Sequence, residues 1–269
     1  MHDVLQYERK TVVVTGAASG MGAATAGILD ELGAVVHGID IKEGPAPVAA
    51  FHLCDLGDPA QIEATVAGID GPIDSLFNCA GLPTTAPAQQ IVRVNFLGHR
   101  HLTELVLPRV AEGGSVGFIS SAAGMAWENH LERYLELLAT DGFDAGREWC
   151  EAHDDVVGVD GYSFSKEAIN AYVAWRGYQT AATVRINGIM PGPTDTPMMP
   201  SFVEMMGEEF FRRFPKPVGR NSRPDEQAWA LVMVNSPRSS YIAATNVFTD
   251  GGFSGGMATG SIDFSTLFE

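Results

Sequence analysis

Short apolar runs alternate with longer segments of helical periodicity along the whole chain. The β-branched run at 11–15 predicts a strand, and the apolar spacing from Met21 to Leu32, closed by Gly33, predicts a helix. Asp58 before Pro59 predicts the start of another helix, because an aspartate cap followed by proline is a common helix N-terminus. Further strands are predicted at 34–39, 49–53, 74–77, 115–120, 183–189 and 246–249, and further helices at 91–110 and 162–181, with a last one from about residue 224.

Strands that alternate with helical crossovers predict one parallel sheet with helices on both faces, which is the doubly wound, Rossmann-type α/β fold. We expect about seven strands. The 269 residues, 45% of them hydrophobic and 30 of them glycine, suit a single domain of this class that spans residues 1–269. No internal repeat, linker or low-complexity tract interrupts the pattern.

The net charge of −16 argues against nucleic acid and against an anionic membrane surface as partners, because both are polyanions. The three cysteines, Cys54, Cys79 and Cys150, form no C-x-x-C motif and are typical of thiols in a reducing compartment. The first ten residues are polar, and no stretch reaches the roughly 18 apolar residues that a membrane-spanning helix needs. We therefore expect a cytoplasmic protein with no metal site.

A glycine-rich turn follows the first predicted strand and opens the first predicted helix. Its sequence at 15–22 is TGAASGMG, in which Ser19 and Met21 stand beside the glycines. Gly16 allows the strand to turn sharply, Gly20 allows the backbone to approach a pyrophosphate, and Gly22 allows the helix to pack closely on the sheet. Phosphates then lie on the N–H groups of the helix N-terminus. Three glycines are also compatible with a simple turn, but the flanking strand and helix favour a dinucleotide site.

Asp40 ends the second predicted strand, 18 residues after Gly22. A carboxylate at this place accepts hydrogen bonds from both ribose hydroxyls and repels a 2′-phosphate. Ser19 brings no positive charge to the glycine-rich turn, and Lys42 is the only base nearby. The pattern therefore favours NAD over NADP as the cofactor. The alternative is that Asp40 is only a turn carboxylate.

Several short motifs then occur in a fixed order along almost the whole chain. They are TGAASGMG at 15–22, Asp55-Leu56, Asn78-Cys79-Ala80-Gly81, Asn95, the serine pair at 120–121, Tyr162-x-x-x-Lys166 and Pro191-Gly192-x-x-x-Thr196. Each motif is weak alone, but the ordered set resembles the short-chain dehydrogenase/reductase family. The resemblance implies a nicotinamide dinucleotide cofactor and catalysis by Asn95, Ser121, Tyr162 and Lys166. It also assigns a further set of residues to the cofactor: Asp55, Leu56, Asn78, Ala80, Gly81, Tyr162, Lys166, Pro191, Gly192, Thr194 and Thr196.

Tyr162 and Lys166 carry the predicted proton chemistry. They are four residues apart, so on a helix they share one face. An ammonium beside a phenol lowers the tyrosine pKa toward the working pH, so that Tyr162 gives a proton in reduction and takes one in oxidation. The resemblance implies that Lys166 also holds the nicotinamide ribose and that Ser121 donates to the substrate oxygen. It further implies that Asn95 holds a water that connects Lys166 to solvent.

Alternatives remain open for several of these residues. Asn95 is also compatible with a buried helix residue that bonds its own backbone. Ser120 competes with Ser121 for the role of the catalytic hydroxyl, although the family pattern favours the second serine of the pair. Thr196 matches the threonine that contacts the nicotinamide carboxamide, yet it is also compatible with a plain turn residue. The Thr194 backbone is a second candidate for that contact.

Two segment lengths differ from the common family pattern. Asn78 and Asn95 are only 17 residues apart, whereas Ser121 and Tyr162 are 41 apart, which predicts a helical insertion at about 126–160. Ten Asp or Glu against two Arg give this insertion a net charge of −8, so we expect a solvated lobe with one apolar face. A second helix is predicted at 143–153. The apolar stripe predicted for the first helix is Trp127, Leu131, Tyr134, Leu135 and Leu138.

This combination resembles the subgroup that contains bacterial 3α-hydroxysteroid dehydrogenase/carbonyl reductase and coniferyl alcohol dehydrogenase. In that subgroup the insertion covers the helix face through which relatives build tetramers, so the resemblance implies a homodimer. The alternative is that the lobe shapes the rim of the active site with no effect on assembly.

The segment at about 197–217 corresponds, in the family, to a lid over the nicotinamide and the substrate. It is rich in methionine and phenylalanine, and Met198, Met199 and Phe202 are the predicted substrate contacts beside Ser121 and Tyr162. A flexible Met/Phe surface suits a bulky apolar substrate such as a steroid, an alicyclic ketone or an aryl alcohol. A helix pair of this kind must, however, bury an apolar face whatever it binds.

We therefore expect an NAD-dependent oxidoreductase that interconverts a hydrophobic alcohol and its carbonyl, with Tyr162 as the acid/base. An epimerase or dehydratase of the same family is an alternative, although these usually carry a longer C-terminal domain than the 53 residues from Pro217 onward. A non-catalytic dinucleotide sensor is a third hypothesis, but such proteins typically lack the tyrosine or the lysine. The tail after Gly252 is predicted to pack across a partner, to close the cleft or to extend into solvent.

Overall fold

The computed structural model describes residues 3–263. Seven parallel strands form one sheet in the order β3-β2-β1-β4-β5-β6-β7, which confirms the predicted doubly wound, Rossmann-like class. The strands are β1 (Thr11–Thr15), β2 (Val35–Asp40), β3 (Ala50–Leu53), β4 (Ile73–Asn78), β5 (Val110–Ile119), β6 (Arg185–Pro191) and β7 (Thr245–Thr249).

Helices connect the strands and cover both faces of the sheet. They are α1 (Gly20–Glu31), α2 (Pro59–Ala67), α3 (Ala88–Val92), α4 (His99–Val106), α5 (Leu131–Leu138), α6 (Gly142–Ala152), α7 (Asp154–Val157), α8 (Gly161–Thr180), α9 (Met199–Met206), α10 (Glu208–Arg213), α11 (Pro224–Asn235) and α12 (Phe253–Ala258). One face packs against α1 and α11, and the other packs against α2, α4 and α8. Strand β6, which lies between β5 and β7, is buried along its whole length, as expected for a strand covered on both sides.

The strand order reverses between β1 and β4. From this point the chain continues through β2 and β3 on one side and through β5, β6 and β7 on the other. At such a switch point the turns after two neighbouring strands leave in opposite directions, and a crevice opens at their carboxyl ends. The turn after β1 is the glycine-rich turn, and the turn after β4 begins at Cys79. The topology therefore places both turns at one crevice.

The insertion at 126–160 packs onto the catalytic-motif helix α8 and joins the main core. Tyr134 donates to the Glu167 carboxylate at 2.8 Å, and His130 Nδ1 lies 2.7 Å from the same oxygen. The predicted stripe is wrong at two positions, because Leu131 and Leu135 are 38% and 40% exposed. A 3₁₀ turn at Trp127–His130 precedes α5. Because a 3₁₀ turn has fewer residues per turn than an α-helix, a stripe counted from Trp127 does not coincide with the face of α5 that is buried. The buried face consists of Tyr134, Leu137 and Leu138.

The prediction of one regular helix at 91–110 is wrong, because both ends differ and the helix is interrupted. It begins at Ala88 and ends in a 3₁₀ turn at Leu107–Arg109, and β5 begins at Val110. A π-helical turn at Arg93–Gly98 interrupts it around Asn95. A second difference concerns the last helix. The sequence predicts that it begins near Pro224, but the structure has a further helix, α12, after β7. Residues 264–269 of the predicted tail lie outside the described residues.

Candidate active site

A cleft of about 500 Å³ lies at the carboxyl ends of β5 and β6. Ser120 and Ser121 follow β5, and the segment 191–194 ends β6 and continues into the cleft wall. Tyr162 enters from the first turn of α8, and Met21 enters from α1. The cleft therefore brings together four elements, β5, β6, α8 and α1, that lie far apart in the sequence. Most of the remaining wall is the lid segment at about 197–217, which contributes Met198, Met199, Phe202, Met205, Met206, Phe210, Phe211 and Phe214. Thr196 and Phe253 also line the cleft.

The glycine-rich turn leaves no room for side chains at two of its positions. A Cβ on Gly16, whose φ is +70°, would lie 2.9 Å from the Ala80 backbone, and a Cβ on Gly22 would lie 2.2 Å from the Gly16 carbonyl oxygen. The exposed Ser19 is the N-cap of α1, but its side chain makes no capping hydrogen bond. The first N–H groups of α1 thus lack a side-chain partner, as a phosphate-binding helix N-terminus requires.

Asp40 lies beside this turn at the end of β2. Its Oδ2 accepts a hydrogen bond from the Ala18 backbone N–H at 3.1 Å, and its Oδ1 accepts one from Lys42 N–H at 3.4 Å. The second bond is that of a turn carboxylate, so both interpretations of Asp40 have a geometric basis. The side chain is only partly buried, which leaves it accessible to a ligand at the glycine-rich turn.

A buried chain of hydrogen bonds joins the ends of β1 and β4 to the π-helical turn. The Thr15 hydroxyl accepts from the backbone N–H groups of Cys79 and Ala80 at 2.9 and 3.0 Å. It lies 3.1 Å from His99 Nε2, and His99 Nδ1 lies 3.1 Å from the Asn95 carbonyl oxygen. Because Thr15 already accepts twice, it donates to Nε2, and Nδ1–H donates to Asn95. Burial lowers the pKa of His99 to about 3, which keeps the ring neutral as this arrangement needs.

The Asn95 side chain is fully buried and fixes the turn after β4. Its Oδ1 accepts from Leu82 N–H at 2.7 Å, and its Nδ2 donates to the Leu82 carbonyl at 3.2 Å. The amide therefore bonds a neighbouring loop, not its own helix. The water relay through Asn95 stays a prediction.

Tyr162 is half-buried at the wall of the cleft. Burial raises its pKa to about 12, while a hydrogen bond with Ser121 lowers the pKa and the charge of Asp160 raises it. The predicted lowering by Lys166 is absent, because the ammonium donates to the Ile119 carbonyl at 2.9 Å and lies 5.5 Å from the centre of the tyrosine ring. Burial also lowers the pKa of Lys166, to about 8. At neutral pH Tyr162 is therefore a phenol able to donate a proton.

The two serines after β5 have different surroundings. Ser120 is buried, and its hydroxyl donates to the Lys166 carbonyl at 2.9 Å, which ties β5 to α8. Ser121 lines the cleft, lies close enough to Tyr162 to lower the pKa of its phenol, and accepts from Ala123 N–H at 3.1 Å. Of the pair, only Ser121 has its hydroxyl beside the tyrosine.

We expect Ser121→Ala to lower kcat by about 10²-fold, since a single positioned donor to a developing oxyanion contributes this much or more. Ser120→Ala is the matched control, because it removes a neighbouring hydroxyl that faces the backbone. It should cost about 1 kcal/mol of unfolding free energy and leave kcat nearly unchanged. Steady-state kinetics and thermal unfolding of both variants test this difference. Equal losses of kcat would contradict the assignment of Ser121.

The remaining residues predicted for the cofactor differ in how accessible their side chains are to a ligand. Asn78 is 1% exposed and donates to Thr103 in the core, and Leu56 is 3% exposed. Because both side chains are buried, only the backbone of these two residues could contact a cofactor. Asp55 is exposed, and its carboxylate accepts from Gly57 N–H at 2.7 Å. Those at the crevice or the cleft wall are Ala80, beside Gly16, and Gly81, Pro191, Gly192, Thr194 and Thr196.

Thr196 connects the two halves of the site. Its side chain lies over Gly20, since a Cβ there would be 3.7 Å from the threonine methyl. The Thr194 hydroxyl is buried and bonds Gly192 and Ser222, which leaves its backbone as the group available to a ligand. Thr196 is thus more than a turn residue, because it closes the cleft against the glycine-rich turn.

The lid is apolar and rests on the C-terminal helix. Phe202 contacts Tyr162 edge-on with ring centres 5.0 Å apart, and Phe214 stacks on the buried Phe253 at 4.8 Å. Phe253 begins α12 and also lines the cleft. The described part of the tail therefore closes the cleft. This contact joins segments about forty residues apart, and the sequence pattern gave no signal for it.

The chain is similar in sequence to proteins of a known family. The profile of the short chain dehydrogenase family matches residues 10–135, and a profile described as enoyl-(acyl carrier protein) reductase matches residues 150–254. Coniferyl-alcohol dehydrogenase of Pseudomonas sp. strain HR199 is 35% identical over 253 residues, which cover 92% of this chain and 98% of that protein. The 3-alpha-hydroxysteroid dehydrogenase/carbonyl reductase of Comamonas testosteroni is 31% identical over 247 residues, which cover 90% of this chain and 95% of that protein.

A solved structure gives the same result. The 3-alpha-hydroxysteroid dehydrogenase of Pseudomonas sp. B-0831, crystallised with NADH, matches with a TM-score of 0.78 and 29% identity, over 94% of this chain and 100% of that one. The chain belongs to the short chain dehydrogenase family. It is an oxidoreductase that uses a nicotinamide dinucleotide and a small-molecule substrate. Within residues 3–263, no helix has the length and apolar character needed to cross a bilayer.

Two residues at the site were missed from the sequence. His99 is four residues after Asn95, and this spacing on one helix face is the signal that could have pointed to it. Asp160 caps α8 through hydrogen bonds from Tyr162 and Ser163 N–H, and it also lines the cleft. An aspartate two residues before the tyrosine predicts a cap, but nothing local shows that its carboxylate faces the substrate space.

Proposed function

We propose that this protein is an NAD-dependent dehydrogenase/reductase that interconverts a bulky hydrophobic alcohol and its carbonyl. One observation carries the proposal: Tyr162 and Ser121 lie together in the wall of an apolar cleft that adjoins the glycine-rich turn. A proton donor, an oxyanion donor and a dinucleotide-binding turn at one cleft are the groups that carbonyl reduction requires.

The residues at the crevice fit a dinucleotide. The close contacts at Gly16 and Gly22 bring backbone N–H groups to the surface where a pyrophosphate is held in this fold. Asp40 would hold the adenosine ribose, and Lys166 the nicotinamide ribose. Thr196, which bridges Gly20 and the cleft, would contact the carboxamide. When bound, the dinucleotide supplies the hydride chemistry.

The proton chemistry falls to this chain's own side chains. In reduction the Tyr162 O–H donates its proton to the carbonyl oxygen, and the Ser121 hydroxyl donates a hydrogen bond to the same atom. A tyrosine pKa of about 12 keeps this donor protonated at neutral pH. In oxidation the Tyr162 oxygen takes the alcohol proton, so oxidation should become faster as the pH rises toward that pKa. The apolar lid excludes water from the reacting atoms.

We expect a preference for NAD of at least about 100-fold in kcat/KM, because Asp40 repels a 2′-phosphate beside the glycine-rich turn. Asp40→Asn keeps the size of the side chain and removes its charge, so this preference should fall by about tenfold or more. The control is Asp70→Asn, which also removes one negative charge but from an exposed residue on the loop before β4. Initial rates with both dinucleotides measure the ratio, and an unchanged ratio in Asp40→Asn would contradict the role of Asp40.

The lid supports a bulky apolar substrate. Eight methionine and phenylalanine side chains of the segment 198–214 line the cleft, and the volume of about 500 Å³ is within the range of drug-sized ligand sites. A panel at 340 nm tests this directly: 3α-hydroxysteroids, alicyclic secondary alcohols, coniferyl alcohol and small aliphatic alcohols, each with NAD or NADP. We expect turnover with NAD and one of the bulky classes. Turnover of small aliphatic alcohols alone would contradict the proposed substrate class.

We further propose that the protein is a homodimer. The insertion packs on α8 and occupies the face through which relatives are expected to form tetramers. On the opposite side of the molecule's sheet, α11 exposes Trp229 and Met233, one helical turn apart, and Phe248 is exposed on the edge strand β7. Light scattering at micromolar concentration should give the mass of two chains, and Trp229→Glu with Met233→Glu should shift it to one. A tetramer would contradict the proposal.

A further inference from the structure

One carboxylate stands in a cleft that is otherwise uncharged. Asp160 carries the only formal charge among the described residues that line the cleft, whose remaining wall is dominated by methionine and phenylalanine. Its Oδ1 accepts the N–H groups of Tyr162 and Ser163, both at 3.1 Å. Its Oδ2 accepts no hydrogen bond from any residue in the described range, and Asp160 is exposed at the wall of the cleft.

The position of Asp160 is fixed. As the N-cap of α8 it is held two residues before the tyrosine, and Gly161 packs so closely on Ala88 that a Cβ would lie 2.6 Å from that backbone. The start of α8 therefore cannot move the carboxylate away from the cleft. Its negative charge also reaches the reacting hydroxyl, since it contributes to the raised pKa of Tyr162.

We propose that Asp160 selects substrates by charge, admitting uncharged alcohols and ketones and disfavouring those that carry a carboxylate. This inference rests on the proposed function, because it assigns the substrate class of the same cleft. No cationic side chain lines the cleft within residues 3–263, so a substrate carboxylate would find a like charge and no counter-ion there.

The test uses two probes of equal shape, 4-hydroxycyclohexanecarboxylate and its carboxamide. The ratio of kcat/KM for the amide to that for the acid should be well above one in the wild type, and Asp160→Asn should lower it roughly five- to tenfold. Asparagine caps helices as well as aspartate does, so the variant should keep its fold. High salt should lower the ratio in the wild type but barely change it in the variant, because salt screens only a charge interaction.

Asp155→Asn is the matched control, because it removes an exposed charge from the same lobe, five residues away and outside the cleft wall. We expect it to keep the wild-type ratio. An unchanged ratio in Asp160→Asn, or the same fall in both variants, would overturn the role of Asp160. If the enzyme oxidises neither probe, cyclohexanecarboxylate and its amide are tested as inhibitors of the oxidation of an active alcohol. The ratio of their inhibition constants then takes the place of the ratio of kcat/KM. Turnover of no alcohol with either dinucleotide would instead contradict the proposed function.

Discussion

Tyr162→Phe is expected to lower kcat by about 10³-fold or more in both directions, since a positioned general acid/base contributes this much to a proton transfer. The phenol lies in the cleft with the Ser121 hydroxyl, and its removal leaves the reacting oxygen with only that serine. The ring itself is kept, so its edge-on contact with Phe202 should persist. The affinity for NADH should therefore remain within about threefold of the wild type.

The control for this variant is Tyr178→Phe. Tyr178 lies on the same helix α8, but it is 82% exposed on the surface, so the loss of its hydroxyl should not affect turnover. Steady-state rates at 340 nm and a fluorescence titration with NADH separate turnover from binding. If Tyr162→Phe kept a tenth of the activity or more, the assignment of Tyr162 as the acid/base would be wrong.

Gly22→Ala is the second change with a large expected effect. The added Cβ would lie 2.2 Å from the Gly16 carbonyl oxygen and 2.8 Å from the Thr15 carbonyl oxygen, so the backbone of the turn must move. Overpacking of this kind typically costs 1–3 kcal/mol, and here it displaces the groups that hold the pyrophosphate. We expect a fall in unfolding free energy of about 2 kcal/mol and a rise of at least tenfold in the NADH dissociation constant.

Gly27→Ala separates this effect from glycine replacement in general. Gly27 lies in the same helix α1, and an added Cβ there meets no atom within 4 Å. Alanine should stabilise the helix by about 0.5–1 kcal/mol, with no change in NADH binding. Urea unfolding and isothermal titration of the two variants measure the difference. Wild-type affinity in Gly22→Ala would contradict the role given to the glycine-rich turn.

The fold and much of the cofactor crevice follow from local signals. Alternation of strands and helices is sufficient for the sheet, and Asp58 with Pro59 forms the helix start that the sequence predicts. The glycine-rich turn is equally local, because the strand before it and the helix after it fix its place at the switch point. The family resemblance then supplies Ser121, Tyr162 and Lys166, and the structure brings all three to one place.

Other features depend on contacts between distant segments and are not visible in local patterns. The pairing of Thr15 with His99 needs β1 and α4 to be adjacent, and the stacking of Phe214 on Phe253 needs the tail to fold under the lid. The π-helical turn around Asn95 packs closely on a distant segment, since a Cβ on Gly98 would lie 2.1 Å from the Leu56 carbonyl oxygen. Burial raises the pKa of Tyr162, and the local spacing of Tyr162 and Lys166 does not show how deeply the phenol is buried.

The most direct test of the central claim follows the hydrogen on the reacting carbon. An alcohol that the panel identifies as a substrate is prepared with deuterium on its carbinol carbon and oxidised with NAD. We expect mass spectrometry to recover the deuterium in the reduced dinucleotide, in a one-to-one ratio with the ketone or aldehyde formed, and Tyr162→Phe to abolish both products together. Deuterium released to water, or retained in a product of unchanged oxidation state, would contradict alcohol oxidation and indicate the epimerase or dehydratase alternative.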